Sequence, residues 1–340
     1  MLAAFDHVEP DRVPAWCGAS AEFWAKAKRT LGLNDEGLRL RFGDDFRRAH
    51  ARFAGPDSAL PEGAVYRTVF GIARRGLGYG QPMQHPLANA PLRAIHDYAW
   101  PDPAWTDPSA IRTEAARYQK QYAVLGGDWS PFWHDAIDLL GMEHLYLSMR
   151  ETPERVDAVL QHIVDYYAAS SQRIFDAAAD EIDIFFIGND FGGQTGPLLG
   201  EELFRRFLLP HLERLIRLGH AYHLKVMLHC CGGFAPLIPA MIEAGLDGLH
   251  AVQTSCRGMD LRTLKADFGG RILFNGGIDS HRVLINGTPA SVREDTREVL
   301  EIMKPGGGYV AGASHDSILE ETAVENVLAM FDAIREFGAK

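Results

Sequence analysis

The stretch Leu224-Lys225-Val226-Met227-Leu228-His229-Cys230-Cys231-Gly232 combines a strand and a chemical motif in nine residues. Leu224 to Leu228 is a strand-forming run, and a Gly-Gly turn follows the two cysteines. Residues two positions apart on an extended segment project to the same side, so His229 and Cys231 offer an imidazole nitrogen and a thiolate to one zinc ion. Cys230 is expected to point the other way.

Charge and composition exclude several classes of protein. The 340 residues contain 34 Lys and Arg against 45 Asp and Glu, a formal charge of −11, which argues against a nucleic-acid partner. No tract of about 20 apolar residues suggests a membrane span, and residues 1–11 carry acidic residues where a signal peptide needs basic and apolar ones. We therefore expect a soluble cytoplasmic protein without a membrane partner. Four cysteines are too few for a disulfide scaffold.

Strand signals alternate with long amphipathic stretches from about residue 120 onward, which is typical of a parallel sheet. The predicted strands are Tyr122–Gly127, Ile182–Ile187, Leu224–Leu228, Gly248–Val252, Ile272–Asn275 and Tyr309–Ala311, with Val13–Cys17 as an earlier member. Seven or eight strand-helix units predict an α/β fold of the (β/α)8 TIM barrel type, which occupies residues 1–340 as one domain.

Two helix starts and one kink are signalled by proline. Thr152-Pro153 and Thr288-Pro289 each place an N-cap hydroxyl before a proline at the first helical position, which predicts helices near 153–178 and 289–303. Pro210 lies inside the apolar-periodic stretch 201–217 and predicts a kink there.

The sequence indicates where the residues beyond those of a simple barrel lie. Residues 55–108, between the first two predicted strands, include the Gly-rich stretch at 74–80 and six prolines between 82 and 108. We expect an inserted excursion that includes a hairpin and partly covers the mouth of the barrel.

Polar residues follow each predicted strand, and in a barrel they share the rim where such folds carry their chemistry. They are Cys17, Asp128, Trp129, Asn189, Asp190, His229, Cys231, Gln253, Cys256, Asn275, Asp279, Ser314, His315 and Asp316.

Several motifs resemble the uroporphyrinogen decarboxylase superfamily, which also contains zinc-dependent methylcobalamin:coenzyme M methyltransferases. The resemblance covers nearly the whole chain and implies a (β/α)8 barrel with its active site at the carboxyl ends of the strands. The motifs are Asp11-Arg12-Val13-Pro14, the stretch from Gly188 to Gly196, Leu228 to Gly232, Pro236-Leu237-Ile238-Pro239, Gly276-Gly277-Ile278-Asp279 with Gly287-Thr288-Pro289, and Gly306 to Tyr309 with Ser314-His315.

One departure separates the chain from the decarboxylase branch. True uroporphyrinogen decarboxylases carry an Arg-Gln-Ala-Gly-Arg segment near the amino terminus, whose arginines hold the carboxylates of the porphyrinogen. The corresponding stretch here, Ala15 to Glu22, has no arginine. A protein of charge −11 without that clamp lacks the counter-charges for a tetrapyrrole with eight carboxylates, so the methyltransferase branch fits better.

The resemblance to that branch implies a zinc site built from a His-x-Cys pair and a later cysteine. His229 and Cys231 match the pair, but the segment after the last strand has no cysteine, and His315 lies there instead. A site of His229, Cys231 and His315 leaves one coordination position for substrate, as catalytic zinc requires. Cys256 and Asp190 are the other candidates for the third ligand.

Further roles are expected at the rim. His315 and Asp190 are the candidate catalytic residues, since His315 resembles the active-site histidine of the decarboxylase branch and Asp190 lies in a Gly-rich loop that allows close approach of a ligand. The candidate substrate-binding residues are Gln253, Trp129, Asn189 and Asp279.

Three functions remain open at this stage. The first is a zinc-dependent methyltransferase or demethylase that moves a methyl group between a small substrate and a corrinoid. Since no part of the sequence resembles a cobalamin-binding domain, cobalamin is expected on a partner corrinoid protein or free in solution. The alternatives are a cobalamin-independent lyase or decarboxylase of a small carboxylated substrate, and a non-catalytic binding protein. A homodimer is expected by comparison with related barrels.

Overall fold

A computed structural model describes residues 1–57, 59–76 and 80–340. The described residues form a parallel sheet of seven strands, and the order of the strands in the sheet is their order in the chain. The strands are β1 (Phe46–Arg48), β2 (Ala123–Gly126), β3 (Ile184–Gly188), β4 (Lys225–His229), β5 (Gly248–Val252), β6 (Leu273–Ile278) and β7 (Tyr309–Ala313).

Strands β2 to β7 confirm the six strands predicted from residue 122 onward. Strand β1 was not predicted, because it has only three residues and two of them are arginines, so it lacks the apolar run on which strand prediction depends.

The predicted strand at 13–17 connects the two edges of the sheet. The Trp16 N–H donates to the Ala311 carbonyl (2.9 Å) and the Ala311 N–H donates to the Pro14 carbonyl (2.8 Å), which makes one parallel bridge to β7. On the other side, the Asp45 N–H donates to the Ala15 carbonyl (2.9 Å), directly before β1. Backbone hydrogen bonds through this segment therefore join β7 to β1.

The expected excursion at 55–108 lies between β1 and β2 and contains short antiparallel pairs, a short α-helix and a 3-10 turn. Arg52–Phe53 pairs with Thr106–Asp107, and a separate small sheet contains Tyr66–Arg67, Ala73–Arg75 and Gln81–Pro82. Part of the Gly-rich stretch, residues 77–79, lies outside the described residues.

Helices occupy the segments between the strands, and both helices predicted from a Thr-Pro start are confirmed at 153–178 and 289–303. The α-helices are Leu2–Phe5, Ala21–Leu31, Asp35–Phe42, Leu92–His96, Ile111–Ala116, Phe132–Leu140, Met142–Glu151, Pro153–Ala178, Glu201–Leu203, Leu209–Ala221, Ile238–Glu243, Leu261–Phe268, Pro289–Met303 and Val324–Gly338. Short 3-10 turns lie at Pro103–Trp105, Ala179–Glu181 and Ala235–Leu237.

The structure confirms a side-chain cap at only one of the two predicted helix starts, and it has a π-helical turn where a kink is predicted. Thr288 accepts a hydrogen bond from the Ser291 N–H and forms a capping box, whereas Thr152 makes no such side-chain bond. Before Pro210, the helix widens into a π-helical turn at Phe204–Leu208. Proline has no backbone N–H to donate, and this turn is the local change in hydrogen bonding that precedes it. A second π-helical turn spans Ser280–Ile285.

Alternation along the strands produces two apolar layers. Leu125, Phe186 and Met227 belong to a cluster inside the curled sheet, whereas their neighbours Phe185 and Leu228 pack in the larger core outside it. His229 follows Met227 by two residues and therefore continues on the inner face. Within the described residues, no helix combines the length and the apolar character needed to cross a membrane.

A buried acid in the outer core predicts how stability changes with pH. Asp135 is buried, and the Tyr167 hydroxyl donates a hydrogen bond to it. Loss of solvation is the largest effect and raises the pKa of Asp135 to about 8, although the Tyr167 hydrogen bond partly opposes it. The folded protein therefore keeps a proton that the unfolded chain, with a carboxyl pKa of about 4, has already lost.

We expect this proton to make the folded protein less stable as pH rises from about 4 to about 8, by at most about 1.4 kcal/mol per pH unit. The Asp135→Asn variant should show a flatter dependence, because its amide does not titrate in this range. Urea unfolding at pH 5, 6, 7 and 8 measures the difference, with the exposed Asp97→Asn as the control. Parallel profiles for Asp135→Asn and the unsubstituted protein would show that Asp135 ionises normally.

Candidate metal centre and active site

The ends of β3 and β4 bring together a thiol, an imidazole and a carboxylate. The Cys231 Sγ lies 3.4 Å from the His229 Nε2, and the Asp190 Oδ1 lies 3.4 Å from the same nitrogen. All three ligand atoms lie within 4.8 Å of one another. Asp190 also accepts a hydrogen bond from the Cys231 N–H (2.7 Å), which fixes the loop after β3 to the turn after β4.

These separations fit a tetrahedral zinc ion. A Zn–S distance of about 2.3 Å and Zn–N and Zn–O distances of about 2.1 Å place sulfur and nitrogen roughly 3.6 Å apart, and nitrogen and oxygen roughly 3.4 Å apart. The observed values of 3.4 Å and 3.4 Å agree with both. Cys230 faces the other way, buried in the outer core, where its sulfur accepts a hydrogen bond from the Phe191 N–H (3.3 Å).

The other ring nitrogen of His229 has its own partners. Its Nδ1 lies 3.0 Å from the Nδ1 of His250 and 4.0 Å from the Asp316 Oδ1. Neither residue was predicted as part of the centre. His250 lies inside β5, directly opposite His229 in the parallel register. A histidine on each of two neighbouring predicted strands is the sequence feature from which this contact could have been predicted. Asp316 was noted only as a rim residue.

The third ligand expected at His315 stays a prediction, because His315 is not among the side chains that the structure groups with the His229–Cys231 pair. Among the described residues, His315 joins neither group of side chains that could hold a metal ion. Its Nδ1 instead accepts a hydrogen bond from the Ser317 N–H (3.2 Å). The chain turns after β7, so the next residue, Asp316, faces His229. Cys256 is buried and also absent from both groups, whereas Asp190 is present.

Opposite charges stabilise one another across this centre. Burial raises the pKa of Asp190, but hydrogen bonds with His134 and His229 outweigh it and leave that pKa well below its ordinary value. Burial lowers the pKa of His229, yet its contacts with Asp190 and Cys231 and the charge of Asp316 raise it well above 6.5. Without a metal, the surroundings thus favour a positive charge on His229, which is the charge that a cation would supply instead.

His250 has the opposite environment. Burial and then the positive charges of His229 and Arg48 lower its pKa well below 6.5, so the ring is neutral. A neutral ring can accept the Nδ1 proton of His229 and leave the His229 Nε2 free to bind a metal.

The predicted substrate-binding residues have different positions. Trp129 stacks on His229, with ring centroids 5.6 Å apart, and faces the centre. The Gln253 Oε1 accepts a hydrogen bond from the Gly232 N–H (3.0 Å) and so supports the turn after Cys231. Asp279 is buried and caps the π-helical turn at Ser280–Ile285.

Asn189 also stabilises the local structure through hydrogen bonds to the backbone. It is buried, its Oδ1 accepts a hydrogen bond from the Trp133 N–H (2.9 Å), and its Nδ2 donates to the Ser130 carbonyl (3.1 Å). These bonds connect the loop after β3 with the helix after β2.

Comparison with known proteins agrees with this architecture. The family model for uroporphyrinogen decarboxylase (URO-D) matches residues 106–337. The chain belongs to this family. A solved methyltransferase from Methanosarcina mazei shares the fold, with a TM-score of 0.72 and 17% identity over 99% of this chain and 98% of that one.

Curated relatives of this URO-D family member are enzymes with two kinds of name. A methylcobamide:CoM methyltransferase of Methanosarcina acetivorans is 23% identical over 206 residues, 59% of this chain and 57% of the relative, so the match spans little more than half of that protein. A methylated-thiol–coenzyme M methyltransferase of M. mazei is 23% identical over 77% of this chain and 72% of its own. A uroporphyrinogen decarboxylase of Alkalilimnicola ehrlichii is 26% identical over 80% and 73%.

The bracing by Asn189 predicts a stability defect. In Asn189→Ala, the Trp133 N–H and the Ser130 carbonyl lose their buried partner, and each such loss costs about 1–3 kcal/mol of unfolding free energy. Urea unfolding should show a loss of this size, whereas the exposed Asn286→Ala control should change little. An Asn189→Ala protein of unchanged stability that binds substrate poorly would instead assign Asn189 to substrate.

Proposed function

We propose that the protein is a zinc-dependent methyltransferase or demethylase that moves a methyl group between a small substrate and a corrinoid carried by a partner protein. The observation that carries this proposal is the grouping of the Cys231 thiol, the His229 imidazole and the Asp190 carboxylate at separations that suit zinc. The methyltransferase names among the relatives support it.

His229, Cys231 and Asp190 would hold the metal and leave a fourth position for substrate. A zinc ion held by these residues would supply Lewis acidity, which would lower the pKa of a substrate thiol or hydroxyl or stabilise that group as it leaves. Asp190 is the third ligand in this proposal, in place of the expected His315.

The residues around this set orient it. With a metal bound at its Nε2, His229 would donate a hydrogen bond from Nδ1–H to the His250 Nδ1, and the nearby Asp316 carboxylate would favour the proton on Nδ1. The Nε2 lone pair would then be directed toward Cys231 and Asp190. Trp129 covers one face of the His229 ring and limits access of water.

We further propose that the segment at 13–17 occupies the eighth strand position of a (β/α)8 barrel. Its backbone hydrogen bonds to β7 and to the residue before β1 support this assignment. A closed ring is the arrangement in which the ends of β1 and β7 meet at the same mouth as those of β3 and β4.

A cavity of about 490 Å³ borders Asp190, one of the three proposed ligands. Its walls include Asp190, His134 and Trp133 and, from the excursion, Arg74 and His85. A cavity of this size suits a small molecule. The excursion thus forms part of the wall of the cavity through which a substrate or a corrinoid would approach.

Zinc content tests the proposal directly. The purified protein should contain about one zinc ion per chain by mass spectrometry of the metal, and His229→Ala and Cys231→Ser should lose it, because each removes a ligand. Cys230→Ser is the matched control and should retain zinc. In competition with a chelator, His250→Phe should bind zinc about 10–100-fold more weakly.

The same measurement separates the two candidate third ligands. Asp190→Asn should weaken zinc binding, whereas His315→Ala should leave it unchanged. If His315→Ala loses zinc and Asp190→Asn keeps it, the ligand set is the one expected from the resemblance and not the one proposed here. A metal-free protein with an intact fold would contradict the zinc proposal altogether.

Methyl transfer gives a second test. When the protein is mixed with methylcobalamin and one of a panel of small thiols, we expect at least one thiol to take the methyl group and leave cob(I)alamin. The absorbance of the corrinoid measures this conversion. Cys231→Ser should slow it at least about 100-fold, whereas Cys230→Ser should not. If corrinoid is not consumed and the protein releases CO2 from a small carboxylate, the lyase alternative is correct.

A further inference from the structure

A second cavity, of about 210 Å³, is lined by a different set of residues from the one described above. We call it the Arg48 cavity. Its walls include Trp16, Trp24, Phe46, Arg48 and Asp316. Asp316 connects it to the proposed metal centre, because the Asp316 Oδ1 lies 4.0 Å from the His229 Nδ1.

Arg48 ends β1 and is held among aromatic rings. Its guanidinium carbon lies 4.8 Å from the ring centroid of Phe186 and 5.6 Å from those of Trp16 and Trp129. Contact with ring faces fixes the orientation of a guanidinium, while its N–H donors lie in the guanidinium plane and suit the two oxygens of a carboxylate. Trp129 contacts both Arg48 and His229, so this arginine is close to the proposed centre.

Trp16 adds a second, independent indication of a ligand. Its side chain is buried, and its Nε1 has no hydrogen-bond partner among the residues that the structure describes. A buried N–H donor without an acceptor is rare and unfavourable. Gly18 also lines the cavity, and its lack of a side chain lets the Asp316 backbone carbonyl approach, since a Cβ there would clash with that oxygen. An acceptor atom from a ligand would give the Trp16 Nε1–H a hydrogen-bond partner.

The charges and the size of the cavity restrict the ligand. Two arginines, Arg39 and Arg48, are balanced by Asp44 and Asp316, and Arg39 is already paired with Asp44 at 2.5 Å. Walls without a surplus of positive charge disfavour a ligand that carries several negative charges. The volume corresponds to roughly seven water-sized groups, and the aromatic walls suit a flat apolar body.

We propose that the Arg48 cavity binds the carboxylate of a small, flat monoanion, with Arg48 and the Trp16 Nε1–H as its donors. This assignment rests on the proposed function, in which the monoanion is the small partner in methyl transfer. The porphyrinogen of the decarboxylase relatives is far too large for this cavity and carries too many carboxylates.

Calorimetric titration of the metal-free, full-length protein tests the proposal. The probes are benzoate, its uncharged isostere benzamide, benzenesulfonate and inorganic phosphate. Benzoate should bind at least 10-fold more tightly than benzamide. Arg48→Met should raise the benzoate Kd at least 10-fold and leave the benzamide Kd unchanged, and Trp16→Phe should raise the benzoate Kd several-fold. Arg52→Met, an exposed arginine paired with Asp107, is the matched control.

Arg48→Lys keeps the charge without the planar donors, and it should bind benzoate with an intermediate Kd even if Arg48→Met is poorly folded. Tighter binding of benzenesulfonate or of phosphate than of benzoate would overturn the proposal, because it would show that the cavity does not select a carboxylate. Equal benzoate binding by Arg48→Met and the unsubstituted protein, or no binding of any probe, would overturn it as well. Since no zinc or corrinoid is present, these outcomes are independent of the tests of methyl transfer.

Discussion

The His229 imidazole is the element on which the proposed site depends. One of its nitrogens faces the Cys231 thiol and the Asp190 carboxylate, and the other faces His250 and Asp316. A buried ring with polar partners on both sides has little rotational freedom, so its lone pair has a defined direction. This defined direction is what a metal ligand needs.

The parallel sheet produces that constraint. Strand alternation turns His229 inward beyond Met227, and parallel register places His250 opposite it on β5. The turns after β3 and β7 then supply the carboxylates of Asp190 and Asp316. Each of these side chains comes from a different strand end, so the centre exists only when the sheet is formed.

Electrostatics explains why so many ionisable groups are tolerated inside the mouth. The carboxylates of Asp190 and Asp316 offset the positive charge favoured on His229, and His250 remains neutral. The two cavities near this centre have different walls. Asp190 lines the larger one, whereas Arg48 and Asp316 line the smaller one, so two reactants could occupy separate positions in the proposed site.

Local periodicity and backbone preference were enough to predict the alternation of strands and helices, the proline-defined helix starts and the same-side projection of His229 and Cys231. They did not predict β1 with Arg48, since three residues carry no periodic pattern, or His250, since a histidine inside a strand looks like any core residue. The approach of Asp316 to the Nδ1 of His229 could not be predicted either. These contacts depend on which strand ends meet in space, and that is a property of the folded sheet and of no single segment.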